Sequence, residues 1–500
     1  MNTLRAHWQR SGPVRRIFTA LGLFLSAIAL ICSVLVTTEL IAGYAAFSWA
    51  RDLNDVKKPS AATLEHGAYL AKVGNCAACH TARGGAAFAG GKAIHTPFGA
   101  VYTSNITPDI ATGIGRWSAQ AFYRAMHEGR SADGHMLTPA FPYTNYTHVT
   151  RQDTDALYAY FMHDVQPVAQ ANTAHALPFP FNTQLALAVW RVLFFEAADA
   201  LGTAPAIQPA ASIAPATPAS SGHQATTKTI ATHAQFPWAS GTKGTKNAEI
   251  ERGAYLVRGL GHCSACHAQR NALGATRNDL LLGGALMPMQ DWYAPSLMDA
   301  TQAGVMHWPV ADVVALLQTG VAPSASVAGP MAEVVAKSTQ YWSLADLQAT
   351  AAYLQSLPET IPTPQGERAG NAPAPDTHSG PYLRGSDLFA QHCATCHGAL
   401  GQGLQLAGSN GLPAVALPAL AGNRAVSMAN AANMVRIIVG GGYAPSTAGN
   451  PRPFGMPPFV HVLSDEDIAA VTTYVRTAWG NQGSPVSAAQ VLRHRKGLMN

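Results

Sequence analysis

Charge is scarce in this 500-residue sequence: Asp, Glu, Lys and Arg together make up 12% of it, and the net charge is only +5. That excludes the concentrated basic stripe of a nucleic-acid binder. A nucleotide fingerprint of the GxGxxG type between a strand and a helix is also lacking. Cysteine is scarcer still, with seven residues, and six of them fall into the pairs Cys76/Cys79, Cys263/Cys266 and Cys393/Cys396. Rings this short are redox-active rather than structural disulfides. Zinc would need four ligands per site, and neither a second CxxC nor an HxxxH completes any of the three. The seventh cysteine, Cys32, lies in an apolar stretch and is expected to be a small buried apolar residue.

That stretch runs from Ile17 to Thr38 without a charge, behind Arg5, Arg10, Arg15 and Arg16. About 20 residues span the hydrocarbon core, whereas the apolar part of a cleavable signal covers only about 7–15. An uncleaved anchor is therefore expected over residues 1–50. The arginines place its start in the cytoplasm and everything beyond Trp49 outside. A second apolar run, Leu177–Phe195, is broken by Pro178 and Pro180. Its helical part, Thr183–Glu196, is too short to span. Two readings stay open for it: a packed helix, or a helix lying on the membrane or on a partner.

What is present is a degenerate repeat. Gly67-Ala68-Tyr69-Leu70 precedes Cys76, the same four letters at Gly253–Leu256 precede Cys263, and Gly385-Ser386-Asp387-Leu388 precedes Cys393. Each unit closes with an Asp seven residues before an aromatic: Asp153/Tyr160, Asp346/Tyr353 and Asp467/Tyr474. An Asp at a helix start complements the macrodipole. Trp117 and Trp308 each stand twelve residues before a glycine, Gly129 and Gly320, read as helix ends. The units are thus 51–202, 247–358 and 381–481. An Ala/Pro/Thr/Ser-rich linker at 203–246 and a Pro/Gly-rich one at 359–380 separate them. A basic tail at 482–500, expected to be solvated, follows the third.

Each cysteine pair runs directly into a histidine, giving three CxxCH motifs. Two cysteines three apart on one helical turn suit thioether bonds to the vinyl groups of haem c, and the next residue projects toward the iron. Cys76, Cys79, Cys263, Cys266, Cys393 and Cys396 are the expected attachment points, with His80, His267 and His397 as proximal ligands. The fold class expected is all-α, three c-type cytochrome domains in tandem behind one N-terminal transmembrane helix. A methionine sixth ligand raises the potential and closes the site. Met456, in Phe454-Gly455-Met456-Pro457-Pro458, and Met331, in Gly329-Pro330-Met331-Ala332-Glu333, fill that role. The corresponding loop of the first unit, Pro139-Ala140-Phe141-Pro142-Tyr143, carries Phe141 instead. Met136 is the expected substitute, with His135, His148 or an open iron as alternatives.

The ordered strings Thr96-Pro97-Phe98-Gly99, Asn105-Ile106-Thr107-Pro108-Asp109, Thr112-Gly113-Ile114-Gly115 and Arg124-Ala125-Met126-His127 resemble the triheme cytochrome c subunits of bacterial membrane-bound dehydrogenases. So do Gly329-Pro330-Met331-Ala332-Glu333-Val334-Val335 and Gly455-Met456-Pro457-Pro458-Phe459. The resemblance implies an electron-transfer subunit with no catalytic residues of its own. It would take electrons from a catalytic dehydrogenase in the periplasm and deliver them to ubiquinone in the inner membrane. It also implies that backbone carbonyls at Pro295 and Pro418 accept a hydrogen bond from the proximal histidines, with Ser104 in that place in the first unit. The Phe141 loop resembles the branch serving molybdopterin-type aldehyde dehydrogenases, which implies a [2Fe–2S] subunit as donor. Quinoprotein alcohol and flavoprotein gluconate or sugar dehydrogenases are the alternative partners. A peroxidase using an open first iron, or a subunit of a terminal oxidase, are readings of another class. Membrane lipid is an expected partner; nucleic acid is not.

Overall fold

The computed structural model describes residues 13–45, 58–198, 243–277, 282–287, 289–359, 376–406 and 415–499. Most of the 203–246 linker and the centre of the 359–380 linker lie outside them.

Helix α1 (Pro13–Ala45) contains the apolar stretch Leu21–Ala42, long and apolar enough to cross a membrane, and none of it is buried within the protein. Cys32 is exposed on its surface rather than buried.

Three helical units follow. The first contains α2 (Ala61–Val73), α3 (Cys76–His80), α4 (Ala119–Glu128), α5 (Tyr143–Tyr146), α6 (Arg151–His163) and α7 (Gln184–Phe194). The second contains α8 (Lys243–Arg258), α9 (Ser264–His267), α10 (Val310–Thr319), α11 (Pro330–Lys337) and α12 (Leu344–Ser356). The third contains α13 (Gly380–His392), α14 (Ala394–His397), α15 (Arg424–Ser427), α16 (Ala432–Gly440), α17 (Asp465–Thr477) and α18 (Ala488–Met499). The all-α expectation needs one amendment. Among the described residues five two-stranded antiparallel hairpins punctuate the loops, the longest pairing Ala93–Thr96 with Gly99–Tyr102.

The repeated sequence grammar has one structural cause. In each unit the first helix crosses the helix that begins next to the repeated Asp: α2 on α6, α8 on α12, α13 on α17. At the crossing the two backbones touch, so the residue there must lack a side chain. A Cβ on Gly67 would lie 2.1 Å from the Ala156 carbonyl oxygen, on Gly253 2.0 Å from that of Ala349, and on Gly385 2.3 Å from that of Ala470. The β-carbons of Tyr160, Tyr353 and Tyr474 flank the same three glycines. The closing helices start on Thr150, Ser343 and Ser464, whose hydroxyls accept the N–H of Asp153, Asp346 and Asp467, satisfying one orphan donor each. Gly129 and Gly320 end α4 and α10 in the left-handed conformation, which costs glycine little.

The C-terminal tail is not a solvated basic end. It forms α18, which packs on α16 and α17 with Val491 fully buried. Arg495 pairs with Asp465 at 2.7 Å, and His494 with Asp291 of the second unit at 2.9 Å. Its apolar positions give it a core to join, and acids there meet its charges.

Candidate haem sites

Each CxxCH forms a short helical turn, and its histidine closes that turn. The ring Nδ1 atoms of His80, His267 and His397 lie 2.7, 2.7 and 2.9 Å from the carbonyl oxygens of Ser104, Pro295 and Pro418. A carbonyl can only accept, so each Nδ1 carries the proton and each Nε2 keeps its lone pair. Burial lowers the pKa of all three rings, partly offset by the carbonyl acceptor. They are neutral imidazoles, the form that binds a metal. Such an outer hydrogen bond fixes ring orientation and raises ligand basicity. The bond at Ser104 is present in the first unit despite the non-proline residue, because it uses only the backbone.

All six motif cysteines are free. Burial, then the neighbouring thiol, pushes Cys76 and Cys263 up to about 12 and Cys393 up to about 11. In that state they are protonated thiols. Among the described residues no group of three or more His, Cys, Asp or Glu is placed to hold a metal ion. The cysteines accordingly have the chemistry of covalent attachment, not of a zinc cluster.

A cavity of about 3080 Å³ runs through the first two units and reaches Ala431 and His494 beyond them, several times a site for a drug-sized ligand. Cys76, Cys79 and His80 border it, as does Cys266 of the second unit. Ile114, Trp117, Phe122 and Phe161 supply apolar wall in the first unit. Free thiols, a neutral imidazole and flat apolar walls around such a volume fit a haem macrocycle. In the third unit, Cys393, Met456, Phe459 and Trp479 pack on one side of a separate core.

The candidate sixth ligands are placed unequally. Met331 is partly buried in the first turn of α11, and α11 rests on α3 of the first unit. Lys92 of that unit lies 3.5 Å from Glu333. Met456 sits in the hairpin strand paired with Gly442 and packs partly buried on the third core. Met136 is buried, with its backbone N–H donated to Gln184 Oε1 at 2.8 Å and its carbonyl accepting from Gln184 Nε2 at 3.2 Å. It does not border the cavity, and neither do His135 or His148; Met126 on α4 and Phe141 do. His135 is instead paired with Asp133 at 2.9 Å.

Sequence reading missed how the first two units interlock. Tyr69 of the first unit donates its hydroxyl to Asp346 Oδ2 of the second at 2.5 Å and accepts the Ser343 N–H at 3.1 Å. Tyr255 of the second unit donates to Asp153 Oδ2 of the first at 2.5 Å and accepts the Thr150 N–H at 3.1 Å. The exchange is reciprocal, relating the two units by a pseudo-twofold. Each carboxylate also takes a basic group from its own unit: Arg252 reaches Asp346 at 2.8 and 2.9 Å, and His66 reaches Asp153 at 2.8 Å. Burial favours the neutral Arg252, yet Asp346 wins and holds its pKa above the ordinary value. Burial, then the adjoining carboxylate, raises the pKa of both tyrosines, which stay protonated donors. The third unit repeats the ion pair alone, Arg384 on Asp467 at 2.6 Å, in an exposed setting. The signal was available: a basic residue stands immediately before each crossing glycine.

The interlock brings both motifs to the border of one cavity. Asn145 of the first unit donates to Arg258 O and to Ser264 Oγ, inside the second CxxCH, at 2.9 and 2.8 Å. The third unit docks on the second, where Asn433 exchanges both amide bonds with the Tyr293 backbone at 2.8 and 2.7 Å.

The cytochrome c family model matches residues 64–163 and 382–479, the first and third units; the second carries the same helix crossing and motif. The cytochrome c subunit of alcohol dehydrogenase (quinone) from Komagataeibacter europaeus is 36% identical over 90% of this chain and 88% of its own. The gluconate 2-dehydrogenase cytochrome c subunit of Pantoea cypripedii is 34% identical, over 87% and 90%. The fructose dehydrogenase cytochrome subunit of Gluconobacter japonicus is 33% identical, over 87% and 83%.

Proposed function

The chain belongs to the family of cytochrome c subunits of dehydrogenases, and from that premise we propose that it carries three covalent haems and relays electrons from aldehyde oxidation to ubiquinone. A bound haem supplies one-electron redox chemistry; the protein sets potential, spacing and docking. Cys76/Cys79, Cys263/Cys266 and Cys393/Cys396 attach the three groups, and His80, His267 and His397 present their Nε2 lone pairs. Met331 and Met456 close the second and third sites. In the first, the cavity wall favours Met126 over Met136. The observation that carries the reading is the threefold imidazole–carbonyl geometry beside free CxxCH thiols.

In this reading α1 is the membrane anchor, and the three units lie in the periplasm. The donor is a catalytic dehydrogenase with a [2Fe–2S] subunit. Identities of 33–36% to subunits of alcohol, gluconate and fructose dehydrogenases do not select a substrate. The Phe141 loop is what turns the choice toward aldehydes. The apolar face of α7, which lies against α1, lines part of the shared cavity, and this suits an acceptor arriving from the membrane. Mass spectrometry of the complex purified through this chain tests the reading. A molybdopterin protein and a [2Fe–2S] protein are expected, with aldehyde-dependent quinone reduction. Isolation as a free monomer without quinone reduction on reconstitution would overturn it.

A further inference from the structure

Helix α7 has two unlike faces. Ala188 and Arg191, at 0% and 3% exposure, point inward. Leu185, Val189 and Leu193, one turn apart at i, i+4 and i+8, point outward at 57%, 40% and 58% exposure. Phe179 (82% exposed) and Phe181 continue the stripe at the helix entrance. Scattered apolar residues on a surface need no account, but a contiguous regular stripe marks an interaction surface.

The inward face is fastened to the anchor. Glu39, near the end of the apolar stretch of α1, pairs with Arg191 at 3.2 Å and also with Arg130. Arg130 Nη2 further donates to the Glu39 carbonyl oxygen at 2.7 Å, and Arg191 Nη1 to that of Glu128 at 2.5 Å. Helix α7 packs along α1, so its exposed stripe lies within one helix width of the segment that crosses the bilayer.

We propose that the outward face of α7, with Phe179 and Phe181, is a second membrane contact that rests in the lipid of the outer leaflet beside the anchor. This rests on the reading of α1 as a membrane span. The occupant is lipid because the stripe is continuous with a helix that is itself immersed in lipid. A helix lying in the interface buries its apolar face in the acyl boundary while its other face holds the protein. Trp190 on the same helix donates its indole N–H to the Leu273 carbonyl at 2.9 Å, and rings of this kind collect at membrane interfaces. The consequence is that the rim of the shared cavity, which includes Leu185, Val189 and Leu193, opens to lipid rather than to water.

The test uses full-length holoprotein in phosphatidylethanolamine/phosphatidylglycerol vesicles doped with a diazirine-bearing phospholipid. After photolysis, adducts are mapped by mass spectrometry. Adducts are expected on the 179–193 segment as well as on α1. Leu185→Ser/Val189→Ser/Leu193→Ser is expected to lower labelling of that segment by about tenfold, leaving α1 labelling unchanged. Should that variant fail to fold, Phe179→Ser, at an open position, is expected to lower the labelling around residue 179. Labelling confined to α1 in the wild type overturns the proposal. So does labelling of 179–193 that disappears when the dehydrogenase partner is bound, which gives the stripe to a protein surface. Absence of adducts on α1 itself instead refutes the anchor reading, a separate outcome.

Discussion

Asp346→Ala probes the reciprocal interlock most directly. The Asp346 carboxylate is 7% exposed and the Arg252 side chain 10%, so solvent screens their pair little. Removing Asp346 strands the Arg252 guanidinium and the Tyr69 hydroxyl together, and breaking a buried pair by deleting one partner costs about 3–5 kcal/mol. Tyr69→Phe removes the hydrogen bond to the charged acceptor, about 1.5–3 kcal/mol, together with the one accepted from the Ser343 N–H, and leaves the Arg252 bonds intact. The comparison is Arg384→Ala in the third unit. There the same ion pair has a 59% exposed arginine, and an exposed pair is worth about 1 kcal/mol or less. For a pair of units of this size, each kcal/mol moves the melting midpoint by about 2–4 °C. Asp346→Ala should therefore lower it by roughly 6–20 °C. Thermal melts followed by circular dichroism on the detergent-solubilised holoprotein measure this. An Asp346→Ala midpoint no lower than that of Arg384→Ala would refute the claim that the interlock carries stability.

Other outcomes follow from the same geometry. Gly253→Ala places a Cβ 2.0 Å from the Ala349 carbonyl, too close for either backbone. It should cost about 3 kcal/mol or more, read as loss of folded holoprotein on expression, whereas Gly380→Ala, with nothing within 4 Å, should not. His127 is held down to about 4 by burial, then by Arg151 and His148, so the unfolded chain binds its proton first as pH falls. Stability should drop between the unfolded pKa of about 6.5 and about 4, and His127→Gln should flatten that slope in melts across the range. For the first haem, Met126→Leu rather than Met136→Leu should change the near-infrared methionine signature, since of these two Met126 is the one that borders the cavity. An effect of Met136→Leu alone would reverse that choice. Met456→His should lower one midpoint in a redox titration, because methionine ligation raises potential.

The sequence by itself determined the local chemistry of this protein. The CxxCH motifs, the crossing glycines, the capped Asp helices and the α1 apolar stretch are short-range patterns whose spacing follows from helix geometry. Its limits are as physical as its reach. Nothing in the order of residues says that Tyr69 reaches a carboxylate 277 positions away, since either tyrosine could have served its own unit. The tail looked solvated because its charges were visible and the acids awaiting them, Asp465 and Asp291, were not. Met136 is near the Phe141 loop in the chain, but Gln184, 48 residues on, ties down its backbone, and the cavity wall is built from other residues. Only the tertiary structure decided these points. Packing chooses among partners that are equivalent in chemistry, and burial then fixes which of those contacts matter.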